Sequence, residues 1–222
     1  MKLTRIGFAL ILAALVLLLC PAAPAQTPAP RDPDWVLAHI DVETTGLIPG
    51  HHEIVDIGVV YTDLEGNVLE KWHRRVMPEH PERTEPAAAK INGFDPTVWK
   101  ELGALSPKQA LGEWLALEKK KFAGKTILRV AYNSKFDAAF LDVLFRAHGL
   151  AFDQPNYSYY WLDIPSMAWS LGYRELSLRE LAKTLGVKGT SDVPLEHTGL
   201  GCAEANVRIY RALREIEWKR AK

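Results

Sequence analysis

The sequence predicts an α/β domain whose core is a mixed sheet, a three-strand antiparallel meander plus two further strands, flanked by helices. Three observations lead there. Runs at 35–42, 53–63 and 67–76 are apolar or alternating and are separated only by short turns, the pattern of a meander. Two later apolar runs, 126–133 and 157–164, are interleaved with helical periodicity, which places helices on the faces of the sheet. The composition, 48% hydrophobic and 24% charged, is that of an ordinary globular domain.

Each element has a local cause. WVLAHIDV at 35–42 is apolar and ends in charge, and EIVDIGVVYTD at 53–63 is a second strand. Leu64-Glu65-Gly66-Asn67 then turns the chain, and NVLEKWHRRV at 67–76 alternates as a third. Ser106-Pro107-Lys108-Gln109 combines an N-cap, a proline at the first helical position and a glutamine at the third, so a helix runs from there to about Phe122. TILRVAYN at 126–133 is a buried strand. A helix from about Lys135 to His148 follows and stops at Gly149. YSYYWLDI at 157–164 is the fifth strand. Ser177-Leu178-Arg179-Glu180 reads as a second capping box opening a helix to Leu185, and a long helix starts near Gly199 and runs to the end.

The chain has 222 residues, with 27 basic and 27 acidic side chains. Zero formal charge excludes a strongly basic coat for duplex DNA but leaves room for a nucleic-acid enzyme with a local site. Lys2 and Arg5 precede an apolar run from Phe8 to Cys20 and then Ala23-Pro24-Ala25, the pattern of a signal peptide. The expected organisation is a signal peptide at 1–25, a Pro-rich linker at 26–34 and one domain at 35–222. That implies export to a periplasm or to the outside, with no stable membrane span in the mature chain. The apolar run falls short of the roughly 20 residues a spanning helix needs. An uncleaved anchor is the alternative, as is lipid attachment at Cys20, where Leu19 stands in the usual place of a small residue. Cys202 would be the sole cysteine of the mature chain, with no internal disulfide.

Asp41 and Glu43 stand two residues apart at the end of the first strand, so both carboxylates project from one face. Paired carboxylates repel unless they share a cation, and hard oxygen donors favour Mg²⁺ or Mn²⁺. Solvated strand-end acids are the simpler alternative. Thr44-Thr45-Gly46 adds hydroxyls and a tight turn where backbone could approach a phosphate. Asp137 falls in the first turn of the helix after the fourth strand, where it is either a dipole partner or a third carboxylate brought beside the first two by strand pairing. His197 lies in a Gly-bearing loop before the last helix, exposed or able to take a proton from a metal-site water.

Together these residues resemble the His subfamily of the DEDD 3′–5′ exonucleases, the ribonuclease T-like group with a ribonuclease H-like fold. DVETTGL at 41–47 resembles the first family motif, and NSKFDAAFL at 133–141 the second, with Tyr132-Asn133 where the family usually has His-Asn. Between them, VMPEHPERTEPAAAKINGF at 76–94 resembles the family's stretch after the third strand; beyond them, WLDIPSMAWSLG at 161–172 resembles its Asp-Thr-x-x-Leu-Ala segment and HTGLGCAEANVRIYRAL at 197–213 its third motif. The resemblance covers nearly all of 35–215. It implies metal-assisted phosphodiester hydrolysis that releases nucleoside monophosphates from the 3′ end of single-stranded DNA, RNA or short oligonucleotides. Asp41 would bridge two Mg²⁺ or Mn²⁺ ions about 4 Å apart. Glu43 and Asp137 would complete the sites, His197 would be general base, and Thr44, Thr45, Gly46, Leu47 and Asn133 would touch substrate.

The family pattern is His, four residues, then Asp, and here that last position is Cys202. A thiol is soft and a poor ligand for Mg²⁺. Three readings follow. The enzyme works with three carboxylates, it prefers a sulfur-tolerant metal such as Mn²⁺ or Zn²⁺, or it binds nucleotides without cutting them. Glu204 should face away, whereas Asp192 and Glu196 lie in a loop that could swing inward. A His197–Cys202 nucleophile pair is the other chemical reading, although five residues is not one-face spacing. Lys119, Lys120, Lys121 and Lys125, and Arg208, Arg211, Arg214, Lys219 and Arg220, read as solvated faces or phosphate contacts. Tyr157, Tyr159, Tyr160 and Trp161 read as strand packing or base-stacking surface, and His51 and His52 as surface histidines.

Overall fold

The computed structural model describes residues 34–151, 154, 156–187 and 197–220. The expected signal peptide and all but the last residue of the expected linker lie outside them, as do Asp192 and Glu196. Among the described residues five strands, β1 (Trp35–Thr44), β2 (Ile54–Thr62), β3 (Val68–Arg75), β4 (Thr126–Ala131) and β5 (Tyr157–Asp163), form one sheet in the order β3-β2-β1-β4-β5. The first three pair antiparallel, while β1–β4 and β4–β5 are parallel. This is the expected mixed sheet flanked by helices. The helices are α1 (Pro86–Asn92), α2 (Pro96–Glu101), α3 (Pro107–Lys121), α4 (Ser134–Ala147), α5 (Ile164–Ser170), α6 (Leu178–Thr184) and α7 (Gly199–Arg220). No helix among the described residues is long and apolar enough to cross a membrane.

Strand alternation sorts β1 into two faces. Val36, Ala38, Ile40 and Val42 enter a cluster with Ile57, Val59, Tyr61, Trp114, Phe140 and Phe145, which packs β1 and β2 against α3 and α4. Leu37 joins Val130, Ile164, Leu181, Ile209, Tyr210 and Leu213 on the opposite face, under α5, α6 and α7. On that second face His39 meets the Tyr210 ring edge-on and Thr62 Oγ1 at 3.3 Å. The odd-numbered positions therefore carry the chain's first two site candidates, Asp41 and Glu43, onto the α7 side.

Helix starts follow their caps. At α3 the Ser106–Gln109 capping box is formed in both directions, with Pro107 at the first helical position. The capping box expected at Ser177 is not formed. Glu175 Oε1 accepts the Ser177 N–H at 3.0 Å, so the acceptor comes from before the helix rather than from Glu180. Three short helices were not expected from the sequence: α1, α2 and α5. All carry Pro at the start, and the last two are capped by Asp95 and Asp163. Six or seven residues are too few for periodicity to show. The strand expected to reach 133 ends at Ala131, because Asn133 takes a left-handed conformation (φ 64°) and turns the chain into α4.

Candidate active site

The centre of the site is the C-terminal end of β1. Asp41 lies opposite Gly58 and Glu43 opposite Asp56 in the β1–β2 register, and both acids are partly buried. Asp137, in the first turn of α4, is 2% exposed, and its Oδ1 accepts the Val42 N–H at 3.0 Å. That bond ties the third carboxylate to the residue between the first two. The turn that aims α4 is held in the same way. Asp163, at the end of β5, accepts the Ser134 N–H with Oδ1 at 2.9 Å and the Ser166 N–H with Oδ2 at 3.0 Å. Parallel pairing of β1, β4 and β5 thus brings the ends of three strands to one place.

The start of α7 is set directly on the sheet. A Cβ built on Gly58 would lie 2.0 Å from backbone atoms of Gly199 and Leu200, and one on Gly199 would lie 2.5 Å from the Asp41 carbonyl oxygen. Only paired glycines permit this approach. Asp56, 1% exposed, accepts the Gly199 N–H at 2.8 Å with Oδ1, and its Oδ2 meets His73 Nε2 at 2.7 Å. Thr198 Oγ1 accepts from the Gly201 N–H at 3.2 Å, as an N-cap does at the third helical residue. The result is a compact group in which donor atoms of Glu43, exposed His197 and Cys202 all lie within 4.8 Å of one another. The Cys202 thiol also lies within the electrostatic reach of Asp41.

The electrostatics follow from crowding acids in a partly dry site. Burial first, then Asp137, Glu43 and Asp56, holds the Asp41 carboxyl well above the usual carboxylate range. Burial and Asp56 push Glu43 to about 7. Burial is also the main cause raising Asp137 to about 8. Burial and the carboxylates of Asp41, Glu43 and Asp137 push the Cys202 thiol far up as well. A nucleophilic cysteine needs the opposite environment. The Cys–His nucleophile pair fails on that ground, although the two side chains do come together, since His197 precedes the helix rather than sharing its face. Carboxylates that resist ionising side by side are a donor set suited to a dication, so Asp41, Glu43 and Asp137 fit the divalent ions that the fold family implies.

The other expected contributors divide. Thr44 Oγ1 donates to the Gly46 carbonyl at 2.6 Å, and Thr45 Oγ1 accepts from Glu53 N at 2.9 Å. Both threonines are buried, so their hydroxyls serve the loop. Leu47, 72% exposed, and exposed Asn133 are the members of that set that face outward. His52 corrects its surface reading. It is buried, its Nδ1 accepts from Ile48 N at 3.0 Å, and its ring occupies the space where a Cβ on Gly46 would stand 2.6 Å away. Glu204 points away, to Lys71 at 2.7 Å. The basic runs are largely paired within the chain, Lys121 to Glu70 and Lys219 to Glu215, both at 2.8 Å. Tyr157 bonds Glu118, and the Arg129 guanidinium lies 4.7 Å from the Tyr157 ring and 4.9 Å from Trp161, whereas Tyr159 and Tyr160 are exposed. Sequence reasoning missed Asp56, His73 and Gly58. The signal was an acid inside the otherwise apolar run IVDIGVV, which needs a buried partner.

Residues 39–210 match the exonuclease (RNase T) family, and the chain belongs to it. A curated relative, a PolC-type DNA polymerase III of Thermotoga petrophila, is 27% identical over 150 residues. That match spans 67% of this chain but only 10% of the polymerase. Among solved structures, the nuclease domain of 3′hExo, a DEDDh family member bound to rAMP, superposes with a TM-score of 0.65 at 18% identity, covering 82% of this chain and 91% of that one. The zinc-bound form of the E. coli ExoI–ssDNA complex gives 0.66 at 17% identity, covering 84% and 41%. Exonuclease I of Methylocaldum szegediense gives 0.62 at 23%, covering 81% and 40%. These likenesses show the ribonuclease H-like exonuclease fold.

Proposed function

We propose that this chain is a divalent-metal-dependent 3′–5′ exonuclease of the His subfamily, acting on single-stranded DNA, RNA or short oligonucleotides and releasing nucleoside monophosphates. The observation that carries the reading is the convergence of Asp41, Glu43 and Asp137 at one strand end, with His197 set beside them by the docked start of α7. The DEDDh neighbour bound to rAMP and the ExoI complex with ssDNA support the substrate class.

Asp41, Glu43 and Asp137 would hold Mg²⁺ or Mn²⁺, which supply charge neutralisation at the phosphate and a more acidic water. His197 is exposed at the rim and accepts the proton of the attacking water. Leu47 and Asn133, the outward-facing members of the two loops, contact the terminal nucleotide. Cys202 stands where the family pattern has an acid, so the site works with three carboxylates. The charged start and apolar run before residue 25 support an exported protein.

Cys202 also favours a second reading, a protein of this fold that binds nucleotides without cutting. Nucleoside monophosphate release from a single-stranded oligonucleotide separates the two. Wild type with Mn²⁺ should release monophosphates, and Asp41→Ala should lower the rate at least a hundredfold. Bound oligonucleotide with no release by wild type supports the second reading and removes the first.

A further inference from the structure

We propose that Glu43, His197 and Cys202 form a site for zinc, or another dication that accepts sulfur, distinct in its chemistry from the oxygen-only sites that Asp41 and Asp137 offer. One imidazole nitrogen, one sulfur and one carboxylate oxygen lie within 4.8 Å of one another. Zinc is held by these three donor types at about 2.0–2.3 Å, with water in the fourth position of an open site. Donor atoms around such an ion stand about 3.3–3.8 Å apart, so the three side chains need to close by about 1 Å, which side-chain rotation supplies.

The donor set favours this ion over both Mg²⁺ and Mn²⁺. Mg²⁺ demands octahedral oxygen and would leave the thiol and the imidazole unused. The order of affinities for nitrogen and sulfur donors places Zn²⁺ above Mn²⁺. The scaffold is also braced around two of the donors, Glu43 by the β1–β2 ladder and Cys202 by its backbone bond to Thr198, while Asp56 holds the helix start that follows His197. Exposed His197 leaves a path for the ion to arrive. On binding, the thiol proton passes to solvent and a sulfur–metal bond forms, with no change in oxidation state. The dication then offsets the negative charge that opposes the thiolate.

A metal on one ring nitrogen leaves His197 only an N–H at the other, which cannot accept a proton. Zinc would therefore act as a brake on the proposed hydrolysis, and this consequence alone rests on the nuclease reading. The test uses the full-length, chelator-stripped chain and Co²⁺ as the spectroscopic stand-in for zinc. Wild type should bind one Co²⁺ with a thiolate-to-metal charge-transfer band that stoichiometric Zn²⁺ abolishes and excess Mg²⁺ does not. Cys202→Ser should lose the band, and Cys202→Asp should bind Co²⁺ without it. His197→Ala should weaken binding at least tenfold. No band in wild type, or a band that persists in Cys202→Ser, overturns the site. In the same samples one equivalent of zinc should slow Mn²⁺-supported monophosphate release at least tenfold. An unchanged rate overturns the brake. A band in a protein that never releases monophosphates leaves the zinc site standing and removes the nuclease reading.

Discussion

Asp41 feels the charges of Asp137, Glu43 and Asp56, and the Cys202 thiol adjoins the same cluster. With an acid at residue 202 a hard cation such as Mn²⁺ would gain a fourth oxygen donor, which the thiol does not supply. Replacing Cys202 by Asp should therefore lower the Mn²⁺ concentration that half-saturates a thermal shift by about tenfold, a gain of about 1.4 kcal/mol in binding. An unchanged or higher midpoint would mean that residue 202 does not face the metal. Asp56 makes a different contribution. It touches no proposed substrate position but takes the Gly199 N–H and faces His73. Asp56→Ala leaves a buried donor unpaired, so the urea midpoint should report a loss of about 1–3 kcal/mol. Asp56→Asn keeps the Oδ1 acceptor and should lose less.

At the scale of elements, the site depends on how α7 meets β1 and β2. Gly58→Ala puts a methyl group 2.0 Å from the Gly199 backbone, and only a shift of the helix start relieves that. The expected cost is about 1–3 kcal/mol in a denaturant titration, together with weaker metal binding as His197 and Cys202 move. Gly112 is the control. It lies inside α3 with nothing within 4 Å of its would-be Cβ, so Gly112→Ala should stabilise by up to about 1 kcal/mol. Equal effects of the two substitutions would contradict the role given to the glycine contact. The same comparison marks what was legible in the sequence. Gly199 stood out in EHTGLG as a helix start, while Gly58 sat inside an apolar strand, and nothing local told that a helix 141 residues further on would need its missing side chain.

For the molecule as a whole, much of the sheet was readable because every strand carries its own pattern and the turns are short. The β2–β3 turn at Leu64–Asn67 is an example, where Asp63 Oδ1 accepts from Glu65 N and Asn67 N and Gly66 supplies the positive φ. Of the site, the separate acids were readable, but their convergence comes from parallel β1–β4 pairing and from buried bonds such as Val42 N to Asp137. Those are tertiary and leave no local trace. The crowding has a global signature. In metal-free protein Glu43 and Asp137 keep their protons to about 7 and 8, whereas unfolded carboxyls release them near 4. The folded state binds more protons across that window, so stability should fall as pH rises from about 5 to 8. Melting curves of chelator-treated protein should show this, Asp137→Asn should flatten the fall, and Mn²⁺ should reverse it. A metal-free Tm that rises over the same range would contradict the carboxylate cluster.

The most direct test of the central claim is to follow a 5′-labelled single strand with the full chain, with Mn²⁺ and with chelator, beside Asp137→Asn. A ladder shortening from the 3′ end in the wild-type lane with Mn²⁺, and in neither of the others, is the predicted result. An intact strand in every lane, or the same ladder from Asp137→Asn, would contradict a nuclease built on Asp41, Glu43 and Asp137.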